Sequence, residues 1–305
     1  MTDRNRYQPP NELVTHVTAI CGDAGVAWLS DLPEIVSRLE IKWDVTTEPA
    51  FEKGEYNFVA PARSATLDAV LKVSPPYPMI EIFAEARFLR NLDGDGAVRL
   101  LDVDCESQAI LIERVRPGDS MDIHFAEAPF ACVKPAIEVL KAIITPRPES
   151  RSDTLILDDW FARFSRFRET EFPRDYGERA IEIYEKLRSD EDRVFYLHGD
   201  FHPGNVVSGD YDTPFVAIDP KGVIGHVAYD VSVFLNNMHW WQKEKDGVQE
   251  NLFRAAKQFG NAFGMDEYKI REAAYAGMVI GAWWNFEDMP DLYNNEVVLA
   301  DIWEV

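Results

Sequence analysis

Cysteine is scarce in this 305-residue chain: Cys21, Cys105 and Cys132 are odd in number, widely separated and in no CxxC pair. That pattern excludes a disulfide framework and the strong zinc signatures, and it fits a reducing compartment. Positive charge is scarce too. Thirty-one Lys and Arg against 53 Asp and Glu leave a formal net charge of −22. Such a field repels nucleic acid and anionic membranes and favours cationic partners, though it equally serves solubility. Long apolar runs are few. The uncharged run 273–286 has 14 residues, short of the ~20 that span a bilayer, and reads as a buried helix. Met1-Thr2-Asp3-Arg4-Asn5 lacks the apolar stretch of a signal peptide, so the expected location is the cytoplasm. There is no internal repeat, no low-complexity tract and no G-x-G-x-x-G. What the chain does have is core material: 46% hydrophobic residues, with 18 Phe, 11 Tyr and 8 Trp, which excludes disorder.

Residues 1–10 are polar and Pro-containing and read as a tail. After Asp31, a candidate N-cap, Leu32, Ile35, Val36 and Leu39 recur at helical spacing, which predicts an amphipathic helix over 32–42. Strand-like segments follow at 43–49, 55–62 and 66–74. In the last, Leu67, Ala69, Leu71 and Val73 alternate with Thr66, Asp68 and Lys72, placing Lys72 on the face opposite the apolar set. Residues 78–92 return to the helical period, and a turn at Asp93-Gly94-Asp95-Gly96 precedes a strand pair, 98–103 and 108–115. Arg116-Pro117-Gly118 breaks the pattern and marks a lobe boundary, giving 1–116 and 117–305. Beyond it the chain reads as mainly helical, near 129–144, 154–168, 176–188, 228–243, 248–262 and 268–286, with 144–153 a loop. A sheet-rich first third and a helical remainder make an α+β, two-lobed architecture: a small antiparallel-sheet N-lobe and a larger helical C-lobe.

The densest chemistry lies in His198-Gly199-Asp200-Phe201-His202-Pro203-Gly204-Asn205, followed by Ile218-Asp219-Pro220. A carboxylate, a carboxamide five residues later and a second carboxylate nineteen residues later sit between short apolar runs. Phosphoryl transfer from a nucleotide needs those groups. One Asp takes or orients the proton of the attacking hydroxyl, while an Asn and a second Asp hold Mg²⁺ against the phosphates. Asp200 is therefore the candidate catalytic base, with Asn205 and Asp219 as candidate metal and nucleotide ligands. The kinase catalytic loop usually reads His-Arg-Asp with Asn five places on; here Gly199 replaces the Arg. A zinc loop built from His198, Asp200 and His202 is the alternative, but it lacks the further Cys and His of such sites. His198 reads instead as a brace for the loop.

A lysine that positions phosphate needs a glutamate from the next helix. Lys72 has two candidates, Glu81 and Glu85, and Glu85 flanks the apolar stripe of Ile82, Ala86 and Leu89, so Glu85 is favoured. Gly54, in Gly54-Glu55-Tyr56-Asn57, lies where a phosphate-covering turn belongs, though an ordinary hairpin turn fits equally. Residues Glu113 to Val115 lie where a hinge would offer backbone hydrogen bonds to adenine. Asp230 reads most simply as the cap of the following helix. Trp240-Trp241 and Trp283-Trp284 read as core, and Glu287, Asp288 and Asp291 as a solvated acidic face. If the acceptor is a cation, Glu287 and Asp288 are its candidate carboxylates and Trp284 a ring that could stack on it.

The resemblance carried by these residues extends beyond the loop. Ile218-Asp219-Pro220-Lys221-Gly222-Val223-Ile224-Gly225 with Ala228-Tyr229-Asp230 resembles the streptomycin 6-kinase and hydroxyurea phosphotransferase family of the aminoglycoside phosphotransferase superfamily. Gly94-Asp95-Gly96-Ala97-Val98-Arg99-Leu100-Leu101, Leu111-Ile112-Glu113-Arg114 and Trp28-Leu29-Ser30-Asp31-Leu32-Pro33 are similar to it as well. The resemblance covers roughly residues 25–290. It implies a protein-kinase-like fold and ATP- and Mg²⁺-dependent O-phosphorylation of a small hydroxylated acceptor, cationic or polyhydroxylated, with no nucleic acid or membrane partner. Family roles fall on Asp200, Asn205, Asp219, Lys72 and Glu85. The competing readings are a kinase for hydroxyurea or another metabolite, a nucleotide-binding pseudokinase, and a His/Asp metal hydrolase. Acceptor identity, ATP against GTP and oligomeric state are outside what the residues specify.

Overall fold

The computed structural model describes residues 7–52, 54, 56–77, 81–148, 154–211, 213–242, 247–288, 293 and 296–305; the side chains of 239–242 and 288 lie outside that set. The chain divides into two compact units, Met1–Val115 and Arg116–Val305.

In the first unit, helix α1 (Asn11–Trp43) leads into strands β1 (Thr46–Thr47), β2 (Phe58–Arg63) and β3 (Asp68–Val73). Helix α2 (Ile82–Leu92) and strands β4 (Leu100–Asp104) and β5 (Ala109–Glu113) complete it. The strands form one antiparallel sheet in the order β1-β2-β3-β5-β4. The expected helix over 32–42 is the second half of a longer one. Asp31 lies inside α1, and the break falls at Gly22, whose φ of 53° and ψ of −133° only a residue without Cβ adopts easily. A window of α1 is long and apolar enough to cross a membrane by length and composition. In the fold, its Leu13, Val17, Trp28, Leu32, Val36 and Leu39 pack on the sheet face carrying Phe58, Ala60, Leu71 and Val73. Burying those side chains supplies the hydrophobic stabilisation of this unit.

The second unit opens with β6 (Pro117–Ser120), α3 (Met121–His124) and α4 (Val133–Ile143). Next come β7 (Leu155–Ile156), α5 (Leu157–Phe164), α6 (Arg174–Arg188) and β8 (Val194–Leu197). Then follow β9 (Val206–Gly209), β10 (Phe215–Ala217), β11 (Val223–His226), α7 (Ala228–Gln242), α8 (Val248–Phe263) and α9 (Glu267–Asp288). Its strands make two small sheets, β10-β9-β6 and β7-β11-β8. All pairs are antiparallel except β7 with β11. The catalytic segment runs from the end of β8 to the start of β9, and Asp219 follows β10, so short strands hold both ends of the motif.

Candidate active site

Phe195, Tyr196 and Leu197 carry the chain along β8 into His198, which is fully buried. Its ring bridges two loops. Nδ1 accepts the Asp200 N–H at 3.2 Å, which leaves Nε2 as the protonated nitrogen, donating to the Ile218 carbonyl at 2.9 Å. Its own carbonyl accepts the N–H groups of Lys221 at 2.7 Å and Gly222 at 3.2 Å. Burial is the main cause that pushes the His198 pKa down to about 3, so the neutral tautomer persists at physiological pH. With both nitrogens engaged inside the fold, His198 cannot ligate zinc. Among the described residues, no group of three or more His, Cys, Asp or Glu could hold a metal ion.

Gly199 has φ +83°, and a Cβ there would meet Val223 Cγ1 at 2.8 Å and Lys221 Cβ at 3.1 Å. That is why glycine stands where the kinase loop has arginine. Asp200 is partly exposed, with its carboxylate 4.0 Å from His202 Nε2. The Asn205 amide nitrogen donates to the Asp200 carbonyl at 3.0 Å and approaches Oδ2 at 3.4 Å. The amide oxygen, Oδ1, then points away from that donor end. The Asn205 carbonyl in turn accepts the Ile218 N–H at 2.9 Å, binding the loop to the residue before Asp219. Asp219 has φ +58°, a left-handed conformation that Asp tolerates better than most residues and that occurs preferentially at functional turns.

In the first unit, Lys72 lies opposite the α1-covered face, as its alternation predicts, but it is buried rather than solvated. Its Nζ donates to Glu85 Oε2 at 2.6 Å, with both side chains about as hidden as core residues. Glu85, not Glu81, makes this bond. A buried lysine needs such a partner, because an unpaired charge there would be costly. A Cβ on Gly54 would come 3.0 Å from the Asn57 carbonyl oxygen. The N–H of Glu113 is taken by the Arg99 carbonyl at 2.9 Å and that of Arg114 by Asp68 at 3.2 Å. The Val115 N–H has no acceptor among the described residues.

A lysine–glutamate pair, an Asp loop with an Asn five residues on and a further Asp after the next hairpin are parts that kinases share. Residues 42–289 match the sequence profile of aminoglycoside/hydroxyurea antibiotic resistance kinases. The chain belongs to that family. It is 26% identical over 297 residues to the streptomycin 6-kinase of Streptomyces glaucescens, covering 94% of each chain. It is likewise 26% identical over 304 residues to the hydroxyurea phosphotransferase of Kitasatospora aureofaciens, covering 96% of this chain and 85% of the relative. Among solved structures, choline kinase from Cryptosporidium parvum Iowa II superposes with a TM-score of 0.61 at 9% identity, over 89% of this chain and 95% of that one. The fold is protein-kinase-like.

At the acidic cluster around Glu287 this kinase departs from the sequence expectation. The Glu287 carboxylate is not a solvated acid. It pairs with Arg163 at 2.9 Å and Arg166 at 3.2 Å, so a cationic acceptor would have to displace both. The side chain of Asp288, and all of Asp291, lie outside the described residues. Glu287 and Trp283 line a cavity of about 270 Å³ together with Arg166, Glu169, Thr170 and Phe286. Trp283 is core, packed edge-on to Phe164 and Phe172, whereas Trp284 is half-buried.

Asp230 reads from the sequence as the cap of the following helix. It does not cap α7. It lies in the first turn, fully buried, with Oδ2 accepting the His198 N–H at 2.9 Å and Oδ1 the Gly199 N–H at 2.8 Å. Burial raises its pKa to about 7 against the opposing effect of those two donors. Its spacing from the loop, thirty-two residues from His198, resembles no local cap, and only the fold brings the two together.

Proposed function

We propose that this kinase transfers the terminal phosphoryl group of ATP to a hydroxyl of an aminoglycoside of the streptomycin type. The observation that carries the reading is the single hydrogen-bonded frame that joins Asp200, Asn205 and the Ile218-Asp219 turn through His198. The hydroxyl oxygen attacks the γ-phosphorus, the bond from that phosphorus to the β,γ-bridging oxygen breaks, and the hydroxyl proton passes to the Asp200 carboxylate. Little covalent chemistry is asked of the protein, because catalysis here is positioning and electrostatic stabilisation.

The donor set fits Mg²⁺: a carboxylate at Asp219 and the amide oxygen of Asn205 are hard oxygen ligands. When bound, the ion would neutralise charge on the phosphates. The segment 1–116 would serve the nucleotide, with Lys72 on its phosphates, Glu85 holding Lys72, Gly54 in the covering turn and the backbone at Glu113 and Val115 toward the base. The segment 117–305 would carry the base, the metal ligands and the acceptor site. A second reading, O-phosphorylation of hydroxyurea, draws on the relative of that name at 26% identity.

The test is ATP-dependent product formation by purified protein with streptomycin and with hydroxyurea, read by mass spectrometry and ADP release. Asp200→Asn should cut turnover by two or more orders of magnitude while ATP affinity stays within a few-fold. Near-normal turnover in that variant would sink the assignment of the base.

A further inference from the structure

Three aromatic rings from three different helices meet beside the catalytic loop. Trp160 on α5 stands 5.8 Å from Tyr229, in the first turn of α7, and 5.8 Å from Trp284 on α9. The two indole planes are inclined at 84°, so they form a right-angled corner. Both tryptophans are only half-buried, and neither indole N–H donates to a described residue. The adjacent Trp283 shows what a packing tryptophan looks like in this fold, being 2% exposed within a cluster of phenylalanines. Leaving two indoles partly in water forgoes hydrophobic stabilisation that Trp283 collects, which is the pattern of a recognition surface rather than of a core.

The corner adjoins the reacting group. Asp230, next in the chain to Tyr229, holds the backbone of His198 and Gly199, the two residues before Asp200. Tyr229 is 7% exposed, and its hydroxyl has no hydrogen-bond partner among the described residues. Burial first, and the Asp200 charge second, keep its phenol protonated, so its neutral oxygen offers lone pairs to the N–H groups of a cation. The electron-rich faces of the indoles attract cations, and the −22 net charge of the chain favours them at long range. Glu287, three residues beyond Trp284, is already neutralised by Arg163 and Arg166, so the carboxylate clamp expected from sequence is replaced by ring faces.

We propose that Trp160 and Trp284 determine acceptor specificity: their corner, with the Tyr229 hydroxyl, seats a guanidinium or ammonium group of the acceptor while its hydroxyl faces Asp200. The inference rests on the kinase reading above and deepens it by naming the chemistry that selects the acceptor.

The probes are streptomycin, which carries guanidinium groups, and hydroxyurea, which is neutral. Steady-state kinetics and calorimetry are run on the full chain, with circular dichroism and melting curves as the check on folding. Trp160→Leu and Trp284→Leu should each raise the streptomycin KM and Kd by ~3–30-fold, the range of a partly desolvated cation–π contact. Trp160→Phe should recover most of the loss. The ATP KM and the hydroxyurea kcat/KM should stay within about two-fold in every one of these variants, on the same principle that only a cation uses the ring faces. Unchanged streptomycin constants in both Leu variants would overturn the proposal and leave the kinase reading intact. So would parallel losses for ATP, or for hydroxyurea, in variants that still fold. A wild-type protein that binds streptomycin no better than a neutral sugar, yet phosphorylates hydroxyurea, overturns the cationic corner and selects the second reading. A wild-type protein that turns over neither compound and binds no streptomycin overturns both.

Discussion

The Asp230 carboxylate accepts the backbone N–H of His198 at 2.9 Å, and its other oxygen accepts that of Gly199 at 2.8 Å. A side chain thirty-two positions downstream of His198 thus fixes the two peptides on which Asp200 is mounted. Its neighbour Tyr229 faces Trp160, so the residues that set the loop and those that line its approach share one helical turn.

Asp230→Asn tests the brace. The amide keeps the shape but turns one acceptor into a donor, so one of the two N–H groups is left facing an NH₂. A buried donor without an acceptor costs ~1–3 kcal/mol. The expected result is a lower Tm and a kcat reduced at least ten-fold, with the ATP KM near the wild-type value. A kcat equal to wild type would show that the loop holds its geometry without the brace.

The Lys72–Glu85 pair makes a different prediction. Both side chains are buried, at 5% and 4% exposure, so removing one partner strands a charge in a low-dielectric setting. Glu85→Leu should destabilise the fold by ~3–5 kcal/mol, whereas combining it with Lys72→Met should cost much less, because a buried pair repays little more than its own desolvation. Urea unfolding of the four members of the cycle measures this. Both single variants should also raise the ATP KM. Additive losses across the cycle would mean that the two residues do not act as a pair.

Much of this was legible in the sequence because the spacings are local. His198 to Asn205 occupy one loop, and the alternation along residues 66–74 separates Lys72 from Leu71 and Val73 without any knowledge of the sheet. Helical phase likewise chose Glu85 over Glu81. Long-range features were not legible. Burial of Lys72 goes with its bond to Glu85 on α2, and the Asp230 brace joins distant segments. Helix α1 was read short because Asp31 looks like an N-cap, yet it lies inside the helix, and the departure from helical geometry falls at Gly22. Glu287 looked solvated because its partners, Arg163 and Arg166, come from a helix and turn more than a hundred residues earlier.

Acidification should unfold this kinase through its buried histidines. His226 is 2% exposed, with Nδ1 accepting the Ala228 N–H at 3.1 Å and Nε2 3.9 Å from Asp190. Burial first, then the Lys269 charge, lowers its pKa to about 4, with Asp190 opposing and Arg193 adding to the effect. A depressed base binds fewer protons folded than unfolded, so its contribution is present above about 6.5 and lost as pH falls toward 4. His198 acts in the same sense down to about 3. Asp230, raised to about 7, acts in the opposite sense: its folded form holds the proton that the unfolded chain gives up above ~4, so its contribution declines as pH rises. His226→Asn, whose amide oxygen can replace Nδ1 as acceptor, should flatten the acid limb of stability against pH by up to ~1.4 kcal/mol per pH unit. Asp230→Asn should steepen it. Urea midpoints at a series of pH values between 4 and 7.5 read both slopes, and equal slopes in all three proteins would rule out these groups as the source.

Asp219 offers a test in which stability and function should rank the same substitutions differently. Its φ of +58° is strained for a residue with a Cβ, and such strain is ~1 kcal/mol for a non-glycine residue. Asp219→Gly should therefore leave the protein as stable as wild type or raise its Tm slightly, and Asp219→Asn, which also tolerates the left-handed region, should leave it unchanged. Asp219→Val should lower it, because a β-branched side chain resists positive φ. The proposed metal role predicts a different order for function. Gly, Asn and Val all lack the charge, so all three should weaken Mg²⁺–ATP binding by ten-fold or more. Binding of ATP without Mg²⁺ should change little or improve, since a carboxylate facing phosphates only repels them when no cation lies between. Calorimetry of the three variants with and without Mg²⁺ separates the two effects. If Asp219→Asn binds Mg²⁺–ATP as tightly as wild type, the carboxylate is there for the turn and not for the cation.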